Sequence, residues 1–170
     1  MGRLMEVELD LYEMTTAANT GLLRVFESIK HNQSWGYNYS GSLTDQMTKS
    51  ISGCLAEVAV AKYLKIPFEY HCNVGGVPDI IYKDLKIQVR SQLPKKNNSL
   101  IIRPKAAVNE IYVYVLDRAP KFIIKGFINS SVVLGKDKYL TDFGLDRPKC
   151  FSIPLQILTP IFLLKDSNWN

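Results

Sequence analysis

The chain reads as an α+β protein, an α/β sandwich in which a central mixed β-sheet is flanked by helices. Three observations lead there. Two helical patterns come first, between Leu4 and Lys65. A run of short strand patterns separated by turn residues follows, from Phe68 to Ile128, and short mixed elements close the sequence. With 170 residues, 46% of them hydrophobic and 22% charged, the length suits one domain with a real core. We read 1–170 as that single domain, with 1–43 as an N-terminal helical segment and loop and 44–164 as its core.

Leu4, Val7, Leu11, Met14, Ala18, Leu22, Val25 and Ile29 step by three and four. That spacing predicts one helix with an apolar stripe, or two helices broken near Asn19–Gly21. Asn32–Ser42 is rich in Gly, Asn, Ser and Tyr and reads as a loop. Its Trp35, Tyr37 and Tyr39 either pin it to the core or stack on bases. Thr44 is the expected N-cap of a second helix, with Asp45 in its first turn, and Ile66-Pro67 stops that helix after Lys65. Strands are expected at Phe68–Cys72, Val77–Tyr82, Leu85–Leu93, Ser99–Arg103, Ile111–Leu116 and Phe122–Ile128. Asn129–Gly135 reads as a helical turn. Phe151–Ile153 and Pro160–Leu164 read as late strands with room for a short helix between them.

Composition removes several function classes. No apolar run approaches the ~18 residues of a membrane helix, so no membrane partner is expected. Met1–Asp10 mixes charges with apolar residues and does not read as a signal peptide. Cys54, Cys72 and Cys150 are far apart and odd in number, which argues against a disulfide framework or a structural zinc and for a reducing cytoplasm. His31 and His71 are the only histidines, so a triad hydrolase would need one of them. Twenty-one Lys and Arg against 16 Asp and Glu leave a net charge of +5, a mild lean toward polyanions.

Two places carry chemistry. Between Cys54 and Ala61 the only charge is Glu57, and its helical neighbours Gly53, Cys54, Val60 and Ala61 are small or apolar. A part-buried carboxylate there needs a cation, donors or a metal; at a helix edge it would simply be solvated. The second place is the hairpin from Pro78-Asp79 to Gln92. Leu85, Ile87 and Val89 alternate with Lys86, Gln88 and Arg90, so one face is polar, and the Lys83-Asp84 turn brings Asp79 beside it. Either these acids and the polar row converge on a site, or this is an ordinary amphipathic edge hairpin.

The layout of an acid on a helix, then Pro-Asp, then a strand with a polar-x-basic triplet resembles the PD-(D/E)XK nuclease-like superfamily. Here those parts are Glu57, Pro78-Asp79 and Gln88-Val89-Arg90. The sequence is similar, more closely, to a group of small phage and bacterial proteins. They share the Gly53–Glu57 helix motif, Val89-Arg90-Ser91, Leu100–Arg103, Gly126-Phe127-Ile128 and a close at Pro154, Leu158 and Pro160. The resemblance spans Thr44–Leu164.

What the resemblance implies is a restriction-endonuclease-like fold and a nuclease-like domain acting on DNA phosphodiesters, DNA rather than RNA, with one or two Mg²⁺ or Mn²⁺ ions. Glu57 and Asp79 would be the anionic ligands, with Gln88 through its amide oxygen and Val89 through its carbonyl. Glu57, Asp79, Gln88 and Arg90 would form the catalytic set. Gln88 stands where the superfamily has a carboxylate. Arg90 stands where it has lysine, and an arginine cannot be a general base. It can clamp a phosphate, or pair with Asp79 or Glu57 and exclude metal. The alternatives are a catalytically silent member that binds nucleic acid or a protein partner, and a phage structural or host-interaction protein working in the host cytoplasm. Arg103, Lys105, Lys121, Lys125, Lys136, Lys138, Arg147 and Lys149 line a DNA cleft on the first reading and a solvated surface otherwise. Lys95–Asn98 reads as a hairpin turn first and a phosphate contact second.

Overall fold

A computed structural model describes residues 5–32, 41–72, 77–94 and 98–166. Strand β1 (Met5–Glu8) leads directly into helix α1 (Leu11–Lys30). Asp10 ends the strand and starts the helix through a reciprocal cap. Its carboxylate accepts from the Glu13 amide, and the Glu13 carboxylate accepts from the Asp10 amide, both at 2.8 Å. The stripe beginning at Leu4 therefore overreaches: Met5–Glu8 is a strand, not helix. Helix α1 runs unbroken through Asn19–Gly21.

Helix α2 (Leu43–Leu64) is capped by Ser42, two residues before the expected Thr44. Asp45 returns the bond to the Ser42 amide and hydroxyl. The helix ends where Lys65 turns left-handed, ahead of Pro67. The two helices cross closely. A side chain at Gly21 would place its first carbon 2.7 Å from the Ile51 Cα, and the Ser50 hydroxyl donates to the Gly21 carbonyl at 2.8 Å. Only glycine leaves room for that approach.

Seven further strands follow: β2 (Ile80–Tyr82), β3 (Leu85–Gln92), β4 (Ser99–Ile102), β5 (Ile111–Arg118), β6 (Lys121–Asn129), β7 (Leu140–Thr141) and β8 (Cys150–Pro154). The central sheet has the order β1-β6-β5-β3-β2. It is mixed, because β3 and β5 run parallel while the other pairs are antiparallel. The fold is thus α+β around a central mixed sheet, as the sequence predicts. A second sheet, β4-β8-β7, covers the face away from the long helices.

Strand β5 is buried along Ile111–Asp117 because it has cover on both sides. Ile111, Val113 and Val115 pack toward α2. Tyr112, Tyr114 and Leu116 pack toward β4 and β8. Helix α2 is buried from Cys54 to Ala61, between the sheet on one side and α1 on the other. Its Ala and Val residues are what lets it lie that close.

Two expected strands are not strands. Phe68–Cys72 pairs with no strand among the described residues; it follows α2 with the Phe68 and Tyr70 rings edge to face, 4.9 Å apart. Pro160–Leu164 leads into a short helix, α3 (Phe162–Asp166). Ile161 and Leu164, both buried, are three apart, which is a helical spacing and not an alternation. Helical turns at Ser130–Val132 and Leu155–Ile157 fall where the sequence allows them. Trp35, Tyr37, Tyr39, Gly75 and Lys95–Asn97 lie outside the described residues. Among the described residues, no helix is long and apolar enough to cross a membrane.

Candidate functional site

The site is organised by a break in the β2–β3 ladder. Lys83 and Asp84 both have positive φ, 48° and 65°, and close a two-residue hairpin whose twist matches its strands. Tyr82 faces Leu85 and Ile80 faces Ile87, and there the pairing ends. Continued by two residues, it would set Pro78 against Val89. A proline has no N–H to give to the Val89 carbonyl. Side chains take over instead. The Asp79 carboxylate accepts from the Val89 amide at 2.7 Å, and an Arg90 Nη1 donates to the Val89 carbonyl at 3.0 Å. The same Nη1 lies 3.7 Å from Asp79 Oδ2. The guanidinium also lies over the Tyr112 ring, 5.3 Å from its centre.

Glu57 enters from α2 and is nearly buried, its side chain 7% exposed. One oxygen, Oε1, accepts from Arg24 Nη1 at 2.9 Å. The other, Oε2, is buried and has no hydrogen-bond partner among the described residues. Burial pushes the Glu57 carboxyl up to about 7; the Asp79 charge pushes the same way, and Arg24 and Arg90 pull against both. Asp79, 22% exposed, is also raised, by burial first, with Arg90 and the Val89 amide opposing. The two carboxylates therefore share one electrostatic environment. Cys54, one turn before Glu57, has its thiol pushed up to about 12 by burial and then by Glu57, so it is no nucleophile at neutral pH.

Of the residues singled out in sequence, Glu57, Asp79, Arg90 and the Val89 backbone come together. Gln88 is half-buried on the face opposite Ile87 and Val89, across from Tyr112 in the parallel register. Among the described residues no hydrogen bond joins its amide to either carboxylate. The His71 ring meets the Glu69 carbonyl at 2.9 Å, and its own carbonyl accepts from Arg24 Nε at 3.1 Å. Beside Asp79 a cavity of about 440 Å³ opens between Pro67–His71 and Val77–Ile81.

Arg24 is the residue that sequence reasoning missed. It is the only Lys or Arg between Glu13 and Lys30, but Glu27 stands three residues on, so the sequence offers a local partner and does not isolate Arg24 as it isolates Glu57. A second unforeseen cluster ties the helix to the sheet. The Ser52 hydroxyl donates to Asp117 at 2.6 Å and shares a 3.2 Å hydrogen bond with the Ser91 hydroxyl. Asp117 also accepts from the Ala119 amide at 3.1 Å. It joins α2, β3 and β5, with Ser91 directly after Arg90.

No group of three or more His, Cys, Asp and Glu side chains is gathered for a metal among the described residues. The oxygens on offer to a cation are those of Glu57 and Asp79, with the Val89 carbonyl. The unpartnered Glu57 Oε2, beside a second carboxylate whose charge it resists, fits a hard divalent ion. Arg24 and Arg90 hold the neighbouring positions. The comparisons with known proteins add no family to this geometry: no protein-family model, curated protein or solved structure matches the chain.

Proposed function

We propose that the chain is a nuclease-like protein that acts on DNA phosphodiesters, with Mg²⁺ or Mn²⁺ held by Glu57 and Asp79. The observation that carries the reading is the buried, unpartnered Oε2 of Glu57 in the field of Asp79. An uncompensated carboxylate oxygen costs several kcal/mol unless a proton or a cation meets it. A bound metal supplies Lewis-acid polarisation of the phosphate and a more acidic water. Arg90, 37% exposed and anchored on Val89 and Tyr112, holds a fixed positive charge at the rim, suited to a non-bridging phosphate oxygen. It stays protonated and so moves no proton. Asp79 holds the Val89 amide, which fixes β3 beneath the reacting group.

A second reading has its own observation. Both carboxylates already face a guanidinium, and the Val89 carbonyl accepts from Arg90. Four charges that cancel in pairs describe a silent member of the fold equally well, one that binds nucleic acid or protein without cleaving. A plasmid-nicking assay in Mg²⁺ and Mn²⁺, run on the wild type and Asp79→Asn, separates the two. The catalytic reading expects metal-dependent nicking that Asp79→Asn abolishes. A wild type that nicks nothing and takes up no Mn²⁺ in a calorimetric titration leaves the silent reading.

A further inference from the structure

Arg24 joins three parts of the site. It projects from α1, pairs with Glu57 of α2 and donates to the His71 carbonyl in the segment that leads to Asp79. Its side chain is only 16% exposed, so little water screens the pair. The ion pair is single-pronged. One oxygen of Glu57 is taken at 2.9 Å, and the other is left bare. A guanidinium presents five donors in a plane and commonly grips a carboxylate by both oxygens. Here Nε donates to the His71 carbonyl, so turning the fork to take Oε2 would cost that bond.

We infer that Arg24 is a built-in counter-ion that competes with a divalent cation for Glu57, so that metal affinity at this site is set from α1. The inference rests on the metal-binding part of the proposed function, not on cleavage. Three consequences follow from the geometry. A positive charge 2.9 Å from a ligand oxygen opposes any second cation approaching the same carboxylate. Its removal leaves two neighbouring carboxylates with, among the described residues, Arg90 as the one arginine paired with either. The cation that best restores balance is then a small divalent ion bound by oxygen. Charge alone accounts for the competition, so a lysine at position 24 should preserve it, while a neutral side chain of similar length should release it.

The test uses full-length wild type, Arg24→Gln and Arg24→Lys, with thermal melting and Mn²⁺ titration calorimetry as readouts. Arg24→Gln should melt lower than wild type by about 5 °C or more without metal, because a buried carboxylate loses its partner. Added Mn²⁺ should recover most of that loss, and should do so far less for the wild type. By calorimetry Arg24→Gln should bind Mn²⁺ at least about tenfold more tightly than wild type, and Arg24→Lys should resemble wild type. Equal or weaker Mn²⁺ binding by Arg24→Gln, or a melting loss that Mn²⁺ does not recover, overturns the inference. If Arg24→Gln fails to fold without metal, refolding it with and without Mn²⁺ gives the same decision: recovery only with Mn²⁺ supports the inference and failure in both overturns it. Tighter Mn²⁺ binding with no nicking by any protein would sink the nuclease reading and leave this inference standing. Metal-dependent nicking by the wild type with no gain in Arg24→Gln would do the reverse.

Discussion

At the residue scale the informative group is Glu57. A carboxyl whose pKa in the folded protein lies near 7 instead of 4.5 holds its proton more tightly folded than unfolded. Between those two values the folded state carries the extra proton. Stability therefore falls as pH rises through that window and levels off above it. Asp79 is shifted in the same direction and adds to the slope. The loss should be of order 1–3 kcal/mol in metal-free protein. Urea midpoints at about pH 5, 6 and 7.5 measure it, and Glu57→Gln should flatten most of the slope. A wild type whose stability rises over that range would show that the arginines, not burial, govern the pair. That Glu57 and Asp79 are part-buried acids was legible in sequence, because each stands beside apolar neighbours. That Arg24 faces Glu57 was not, since the contact spans 33 positions and depends on where two helices cross.

At the scale of elements, the crossing of α1 and α2 sets where Glu57 and Arg24 meet. Gly21 permits it, and Gly21→Ala would press a methyl onto the Ile51 backbone. The helices would have to separate by some tenths of an ångström, at a cost of about 1–3 kcal/mol. Thermal melting should register the loss, and metal affinity should change with it, because the Arg24–Glu57 distance is set by the same contact. An unaltered melting temperature would mean that the helices shift freely. Strand β5 was readable from its unbroken apolar run. Strand β1 was not, because Met5–Glu8 continues the three-four stepping of the helix after it. The Ile161–Leu164 spacing is too short to tell a strand from a helix by pattern alone.

At the scale of the whole molecule, the net charge of +5 is what bears on partners. If cations such as Lys125 and Arg147 track a DNA backbone, each neutralised phosphate releases counter-ions. Duplex affinity should then fall at least tenfold between roughly 50 and 200 mM salt. Filter binding at the two concentrations reads this directly, and affinity that is absent at low salt would favour a protein partner. The α+β class and central mixed sheet followed from the order of patterns along the chain. The second sheet did not, because β4, β7 and β8 come from distant stretches and only the folded chain shows that they pair.

The interrupted ladder at Pro78 also bears on self-association. Past Ile87, strand β3 has no strand partner on its β2 side among the described residues, and a bare N–H and C=O there would invite a strand from another molecule. The Asp79 carboxylate and the Arg90 guanidinium cover both groups of Val89. The residues offered as chemistry are thus also the stopper that keeps this flank from templating aggregation. This separates two substitutions that look alike. Asparagine at position 79 removes the charge but keeps an oxygen for the Val89 amide, whereas alanine would uncover the strand, so lost activity in an alanine variant could be nothing more than lost soluble protein.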